Sequence, residues 1–520
     1  MAHLVKYDVG TNFDYKLFDI VKECDKDHRI KNFYGKLKQD GLPGGRATSI
    51  IPELSDNDFV KYIKDCNDLG ITFNYLINPL CMGQSEYDPV VGNNIRATLH
   101  KLYDMGVRYF TINSPSLIKY VKKEFKDVQV TLGLYAYPIS IQQIEYWRNW
   151  GVDELTLDHS FNRNFDALRN VMKTYKDSDF GMRIIANNFC LKECPYRLTH
   201  GSFVGHSDPT AISMDYSLIN CTYRKIKNPK AMLTAEWVRP EDIHYYEELA
   251  EETGYKNFSV KLVDRTRATA FIERVVRAYL AESYEGNLLD ILNWPETKNM
   301  FPNSAAPAGG PAGAPPAGMP AGCPPMGMGM PAGGPPAGMG MPAGGPPAGM
   351  GMPAGGPPMG MGMPAGGPPA GMGMPAGGPP AGMGMPAGGP PAGMGMPAGG
   401  PPMGMPAGGP PPGVPRIRFM EYMNMTFAPI YGRVMNFPKI YIDNKKLDGF
   451  MEHFYKHNNC ANSLCAGTII EDGMKCDHAC DRCGSWAEKV ISYDKDEVEA
   501  WMKVAETLLD GLPSGAQYAK

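Results

Sequence analysis

The chain has 520 residues, of which 43% are hydrophobic, and a formal net charge of −4. This near-neutral charge offers no broad basic surface, so stable DNA binding is not expected and nucleic acid fits only as an RNA substrate. Residues 1–10 lack the basic and apolar regions of a secretory signal, and no apolar run is long enough to span a membrane. We therefore expect a cytoplasmic protein that does not bind membranes.

Short β-rich runs alternate with amphipathic helical stretches over about the first 280 residues. This alternation is typical of βα units around a parallel sheet. Eight units predict an α/β fold, a (βα)8 TIM-barrel-like domain over residues 1–302. The predicted strands are residues 5–9, 31–34, 71–77, 107–112, 128–134, 154–157, 181–186 and 258–263, with helices at 58–69, 95–105 and 140–150 among them.

Four glycines support this reading of repeated units. Gly70, Gly106, Gly151 and Gly254 each follow a helical pattern and precede a predicted strand. A helix end at such a position favours a residue that tolerates positive φ. The spacing therefore predicts helix C-terminal caps at these four positions.

The segment after the seventh strand, residues 187–240, is much longer than an ordinary βα loop. It carries Cys190, Cys194 and Cys221 among polar neighbours. Long connections at the carboxyl face of a barrel usually carry function. We predict a metal site here, because thiols grouped with polar residues in a reducing cytosol favour metal over disulfides.

Residues 303–415 contain no charged or aromatic side chain, and an 11-residue Met/Pro/Ala/Gly repeat recurs from Met330 onward. The tract lacks the glycine at every third position that collagen needs, so we predict a disordered low-complexity linker. Copper binding by its methionines is an alternative. A Gly-rich coil of this length spans roughly 55–65 Å, enough to bring the last part of the chain to the barrel mouth.

Residues 416–520 are predicted to form a small Cys-rich module, with a strand at 439–442 and helices at 447–456 and 495–509. Metal ligation would stabilise so short a segment. The last three of its cysteines have the spacing of a radical S-adenosylmethionine motif, but too few residues follow to build that enzyme's barrel. The predicted ligands of the module are Cys460, Cys465, Cys476, Cys480 and Cys483.

The eight clustered cysteines match the number that two four-cysteine centres require. We predict one or two [4Fe-4S] clusters, with zinc as the alternative metal. The barrel centre has three cysteines, so its iron is open to substrate or a fourth ligand comes from elsewhere. The candidates are Cys460, Cys465 and Cys81, although for Cys81 we favour the alternative of a buried loop thiol.

Several of these residues resemble a known family. The cysteine pair after strand seven, the later Cys221 with Arg224, and the strand residues 259–265 leading into 275–279 are similar to the U32 collagenase-like peptidase family over about residues 4–285. The family's last strand typically reads Lys-Ile-Glu-Gly-Arg, which Lys261 and Arg265 match. Val263 and Asp264 depart from that pattern, as does the cysteine spacing.

The resemblance implies two activities. The family carries a peptidase label, while members with four cysteines are iron–sulfur proteins that hydroxylate ubiquinone precursors or RNA bases without oxygen. The chain has no Gly-x-Ser-x-Gly or His-Glu-x-x-His motif that would support a peptidase. We therefore favour a hydroxylase-type iron–sulfur enzyme acting on a small-molecule, peptide or RNA substrate, with a related U32 subunit as a conceivable partner.

Two alternatives stay open. One is a peptidase acting on peptide or collagen-like substrates, and the other is a binding protein without catalytic activity whose cysteines bind zinc to stabilise the fold. The catalytic candidates are polar residues at the predicted carboxyl ends of strands. Asp158, His159, Lys261 and Arg265 are the catalytic predictions, and the last two suit an anionic substrate. The alternative is that such residues only cap loops. Both interpretations also apply to the other polar residues at predicted strand ends, which are Asp8, Asn113, Ser114, Asn187 and Asn188.

Overall fold

The computed structural model describes residues 3–46, 51–206, 215–295, 430, 432–457 and 482–514. The predicted linker at 303–415 lies outside these residues, as do Cys460, Cys465, Cys476 and Cys480. The predicted domain boundaries also fall outside them. What was expected of these positions stays a prediction.

Eight parallel strands close into a barrel in sequence order, which confirms the predicted (βα)8 architecture. The last strand pairs with the first, and Asp8 lies opposite Lys261 in that register. The strands are β1 Lys6–Gly10, β2 Ile30–Gly35, β3 Thr72–Ile77, β4 Tyr109–Ile112, β5 Gln129–Leu132, β6 Glu154–Thr156, β7 Gly181–Ile185 and β8 Phe258–Leu262.

Helices surround the barrel and bury their apolar faces against it. Gly70, Gly106, Gly151 and Gly254 have φ values of 73°, 99°, 98° and 73°. These left-handed conformations confirm the predicted caps, since only glycine adopts them without strain. The helices are α1 Lys16–Cys24, α2 Asp56–Asp68, α3 Val91–Asp104, α4 Pro115–Glu124, α5 Ile141–Asn149, α6 Phe165–Tyr175, α7 Arg197–Gly205, α8 Tyr216–Lys227, α9 Lys230–Thr234, α10 His244–Thr253 and α11 Thr269–Ala281.

The C-terminal residues contain the predicted strand and the predicted final helix. The helix expected at 447–456 starts only at Glu452, because Gly449 has a φ of 82° and interrupts it. The elements are β9 Ile440–Ile442, α12 Glu452–His457, α13 Arg482–Val490, β10 Ile491–Tyr493 and α14 Lys495–Ser514.

The described C-terminal residues share one hydrophobic core with the barrel and belong to the same compact unit. The rings of Trp237 and Phe450 stack at 5.7 Å. Arg239 Nη1 donates a hydrogen bond to the Asn444 carbonyl at 2.8 Å. Apolar burial against the barrel therefore stabilises this segment, in addition to any metal.

None of the helices within the described ranges combines the length and the apolar character that crossing a lipid bilayer requires.

Candidate active site

The candidate site lies at the carboxyl end of the barrel, where barrel enzymes collect their functional groups. The connection after β7 was predicted as a long loop, and its described residues form α7, α8 and α9 instead. It carries Cys190 and Cys194 before α7, and Cys221 on α8. Asp215 caps the N-terminus of α8, because its side chain accepts a hydrogen bond from the Leu218 N–H at 2.9 Å.

Hydrogen bonds among Tyr196, Asn220 and Arg224, here called the joint, connect the loop that carries Cys194 to the helix that carries Cys221. The Tyr196 hydroxyl donates a hydrogen bond to Asn220 Oδ1 at 3.0 Å. Arg224 Nε donates to the Tyr196 oxygen at 2.7 Å and to Asn220 Oδ1 at 3.1 Å. Because Asn220 and Arg224 flank Cys221, this joint fixes the helix against the loop.

The thiols of Cys190, Cys194 and Cys221, here called the thiol group, lie close enough to affect one another. Burial raises the pKa of Cys190 to about 11, Lys225 lowers it, and charge on the other two thiols raises it. The residue as a whole is exposed, so the desolvation that raises this pKa comes from the protein groups around the thiol and not from complete enclosure. Burial also raises the pKa of Cys194. A metal ion would displace these protons, since the thiolate is the ligating form.

Donors surround the thiol group. Asn188 Nδ2 donates to Cys190 Sγ at 3.4 Å. Lys225 Nζ lies 3.9 Å from Cys221 Sγ and donates to the Phe189 carbonyl at 2.5 Å. Such donors and cations stabilise the negative charge of a metal–thiolate centre. These residue types suit an iron–sulfur cluster held by three cysteines. The three thiols are not placed to hold a single zinc ion, because among the described residues only His3, Glu247 and Glu282 bring their ligand atoms within 4.8 Å of one another.

Cys81 is not brought to the thiol group. It is exposed rather than buried, and its Sγ accepts a hydrogen bond from the Gly83 N–H at 3.3 Å. The Cys81 carbonyl lies 3.1 Å from the position of a Cβ on Gly205, at the C-terminal end of α7. Cys194 precedes the other end of this helix. At 1.5 Å per residue, α7 separates the two by about 12 Å.

Cys483 is buried at the start of α13, beside Arg163. Burial lowers the pKa of Arg163, and Cys483 is the first of the neighbouring charges that raise it. Arg163 Nη1 also donates to the Leu233 carbonyl at 2.8 Å. The helix that carries Cys483, α13, thus packs against α9 of the barrel domain. The role of Cys483 in metal binding stays a prediction.

Four cationic side chains lie in the barrel mouth beside the thiol group. Two of them are paired. Lys36 binds Asp40, and Arg46 Nε lies 2.6 Å from Asp264 Oδ2. The four, here called the cation cluster, are Lys36, Arg46, Lys261 and Arg265.

Lys261 and Arg265 have no hydrogen-bond or ion-pair partner among the described side chains. Arg265 is 2% exposed, and its Nε, Nη1 and Nη2 atoms are all buried without a hydrogen bond. Burial lowers its pKa to about 10. Burial also places the pKa of Lys261 well below its usual range, with Arg183 adding to the effect. An unpaired buried cation such as Arg265 costs the folded state several kcal/mol, and an anion placed beside it would offset this cost.

Arg46 connects the cation cluster to the thiol group. It lowers the pKa of Cys190 and also that of Lys261. Tyr135 lies between them: burial raises its pKa most, Arg46 lowers it and Cys190 raises it. The thiol group and the cation cluster therefore lie within electrostatic range of each other.

A polar network fills the barrel beneath this site. Ser259 Oγ donates to Asp8 Oδ2 at 2.9 Å, and Arg183 Nε donates to Thr156 Oγ1 at 2.8 Å. Arg183 Nη1 is 3.5 Å from both Asp8 Oδ2 and Glu154 Oε2. These buried side chains satisfy one another's hydrogen-bonding groups, and they form a rigid layer inside the barrel below the site.

Asp158 has both carboxylate oxygens engaged. One accepts the Ser160 N–H at 2.9 Å, and the other accepts Arg197 Nη1 at 2.7 Å. This geometry favours a loop-positioning role. His159 Nε2 lies 2.7 Å from Asn188 Nδ2, the amide that also contacts the first thiol, and burial lowers the pKa of His159. His159 thus reaches the thiol group only through Asn188.

Three other predicted residues anchor loops. Asn187 Nδ2 donates to the Ile291 carbonyl at 3.1 Å, and Asn113 Nδ2 donates to the Asn78 carbonyl at 3.0 Å. Ser114 Oγ donates to Glu86 Oε1 at 2.9 Å. The alternative interpretation, that such residues cap loops, describes these contacts.

Sequence reasoning missed Arg46, Lys225, Tyr135 and Arg183. Lys225 follows Cys221 by four residues on one helix, a spacing that places both on the same face and could have identified it. Arg46 lies in a glycine-rich loop with no periodic pattern. Only the fold brings it to the mouth.

No protein-family model matches the chain. The uncharacterized protease MJ1657 of Methanocaldococcus jannaschii is 28% identical over 294 residues, which cover 54% of this chain and 83% of that protein. The solved structure of the U32 peptidase Mk0906 matches with a TM-score of 0.36 and 16% identity, over 51% of this chain and 95% of that one. The structure of CutC from Streptococcus agalactiae matches with a TM-score of 0.29 and 10% identity, over 49% and 98%. The protease name of the Methanocaldococcus jannaschii relative agrees with the resemblance to the U32 peptidase family that the β8 sequence and the loop cysteines carry.

Proposed function

We propose that this chain is an iron–sulfur enzyme of U32 type that hydroxylates, or otherwise modifies by redox chemistry, an anionic organic or RNA substrate without oxygen. The observation that supports this most is the thiol group standing beside unpaired cations in the barrel mouth. Thiolates suit iron, and the cations suit a negatively charged substrate. Neither arrangement is needed to stabilise a barrel.

The chain's own residues would hold and tune the metal centre. A bound cluster supplies one-electron transfer, and an iron without a protein ligand offers a position for substrate. The joint of Tyr196, Asn220 and Arg224 keeps the third thiolate in place. Lys225 adds a positive charge next to it. A second centre formed by the C-terminal cysteines remains part of this proposal.

The cation cluster would position the substrate. Arg46 Nε and Nη1 bind Asp264 and the Gly45 carbonyl, while its Nη2 has no partner among the described residues. Its side chain is 30% exposed, so this nitrogen can meet a ligand. Arg265 adds positive charge close by. An anion would enter between these side chains and the thiol group.

The peptidase alternative draws support from the name of the curated relative. A cysteine nucleophile needs a base within hydrogen-bond reach. In this structure Asn188 stands between His159 and Cys190, so the pair does not meet. The geometry therefore supports the redox enzyme better.

Anaerobic spectroscopy tests the proposal. We expect the full-length protein to show broad visible absorption that dithionite bleaches, and Cys190→Ala to lose it. Cys66→Ala is the matched control, because Cys66 is a buried thiol on α2, away from the site. Colourless anaerobic protein would contradict the proposal. Peptide cleavage that persists in Cys190→Ala would instead support the peptidase.

A further inference from the structure

We propose that Lys261 is a nucleophilic amine that forms an imine with the carbonyl carbon of a 2-oxo acid, whose carboxylate is held by Arg46 in the field of Arg265. This goes beyond the proposed function. It uses the same mouth of the barrel but not the metal centre, so it can succeed or fail whatever the iron content.

The position of Lys261 suits a ligand contact. Lys261 and Ser259 are two residues apart on β8, so both face the barrel interior, where Ser259 binds Asp8. Lys261 stands nearer the carboxyl end and keeps 5% of its surface exposed. Its Nζ lies 3.9 Å from the centroid of the Tyr34 ring, which leaves the nitrogen without a carboxylate partner among the described side chains.

The neighbours of Lys261 favour the neutral amine. Arg183, Arg265 and Arg46 each lower its pKa, after the larger effect of burial. Asp8 raises it, but that carboxylate is occupied by Ser259 and other barrel side chains. A desolvated lysine next to other cations is a recognised way to obtain a nucleophilic amine at neutral pH.

Lys36 provides a comparison inside the same site. It is also a buried lysine, but it binds Asp40 and is 0% exposed. A carboxylate partner of this kind holds the ammonium form and occupies the nitrogen. Lys261 differs in both respects, so only one of the two lysines in the cation cluster can attack a ligand.

The class of ligand follows from two groups taken together. The planar guanidinium of Arg46 has a free Nη2 that matches one oxygen of a carboxylate. The Lys261 amine, which lies within electrostatic range of Arg46, suits a carbonyl carbon. A molecule that offers both groups on adjacent atoms is a 2-oxo acid.

The reaction balances without an oxidant or reductant. The Nζ lone pair forms a bond to the carbonyl carbon while the C=O π electrons move to oxygen, which takes up a proton. The oxygen of the resulting carbinolamine takes up a second proton and leaves as water while the nitrogen lone pair forms the C=N bond; both protons are given up by the nitrogen. The products are the imine and one water molecule. The imine then withdraws electrons from the neighbouring carbon, which eases loss of a proton there.

Borohydride trapping tests the proposal. The full-length protein is incubated with pyruvate and sodium borohydride, and its peptides are analysed by mass spectrometry. We expect a carboxyethyl group on Lys261 and none on Lys36, which is the internal control. Lys261→Met, checked for folding by circular dichroism, should lack the adduct at neutral pH. Iron-rich and iron-poor preparations should give equal yields.

Acetone serves as the probe without a carboxylate. We expect at least about tenfold less adduct at Lys261 with acetone than with pyruvate, the difference that one charge-assisted hydrogen bond provides. Equal yields would overturn the oxo-acid assignment. Adducts confined to surface lysines, with none on Lys261, would overturn the proposal altogether.

Discussion

Replacing Arg265 with methionine is expected to stabilise the fold while weakening anion binding. Arg265 is buried and its guanidinium nitrogens have no hydrogen bonds. Its pKa falls from the ordinary arginine value to about 10, chiefly through burial. At about 1.4 kcal/mol per pKa unit, the protonated side chain costs the folded state about 3 kcal/mol. The unfolded chain holds this proton more tightly, so the cost is complete below about pH 10, as at neutral pH, and disappears above the ordinary pKa of arginine.

Methionine fills a similar volume without a charge, so we expect a gain in stability of about 1–3 kcal/mol. Calorimetry of the anaerobic protein measures it as a rise in melting temperature. The matched control is Arg46→Met, which leaves Asp264 buried without its partner. This variant should lose about 1–3 kcal/mol.

Inorganic phosphate completes the assay. It should raise the melting temperature of the wild-type protein and do so less for Arg265→Met, because mass action stabilises only a protein that binds the anion. If Arg265→Met destabilises the fold as much as Arg46→Met does, Arg265 is not an unpaired cation, and the reasoning about the anion site is refuted.

Three further outcomes are expected. Lys225→Met removes a positive charge beside the thiol group, so the reduction potential of a bound cluster should fall in a redox titration, and an unchanged potential would contradict this. Arg224→Met breaks the joint and should weaken metal retention about 10- to 100-fold in chelator competition. Gly10→Ala places a Cβ 2.8 Å from the Arg265 backbone nitrogen and should abolish stabilisation by phosphate, whereas Gly70→Ala, with open space around it, should cost only about 1 kcal/mol.

The barrel could be predicted from sequence because its signals are local. Each strand is a short β-rich run, and glycines such as Gly70 and Gly254 mark the helix ends by their need for positive φ. The helices after β7 were missed because α7 has many polar residues and no clear apolar stripe. The packing of the C-terminal segment was missed for a different reason. An apolar residue such as Phe450 indicates burial but not that its partner is Trp237.

The site was predicted in part. The grouping of Cys190 with Cys221 followed from sequence, and Lys261 with Arg265 from the likeness of β8 to the family's last strand. The sequence could not show that Arg265 lacks an ion-pair partner. Asp264 directly precedes it, but this carboxylate forms its ion pair with Arg46. Pairings of this kind depend on which loops meet over the barrel. The metal ligands and catalytic residues themselves stay predictions.

The most direct test of the central proposal is the content of iron, acid-labile sulfide and zinc in anaerobically purified protein, compared between wild type, Cys194→Ala and Cys66→Ala. We predict iron and sulfide in the wild type and in Cys66→Ala, and a clear loss of both in Cys194→Ala. Zinc in place of iron, or iron that is unchanged in Cys194→Ala, would contradict an iron–sulfur centre at the mouth of this barrel.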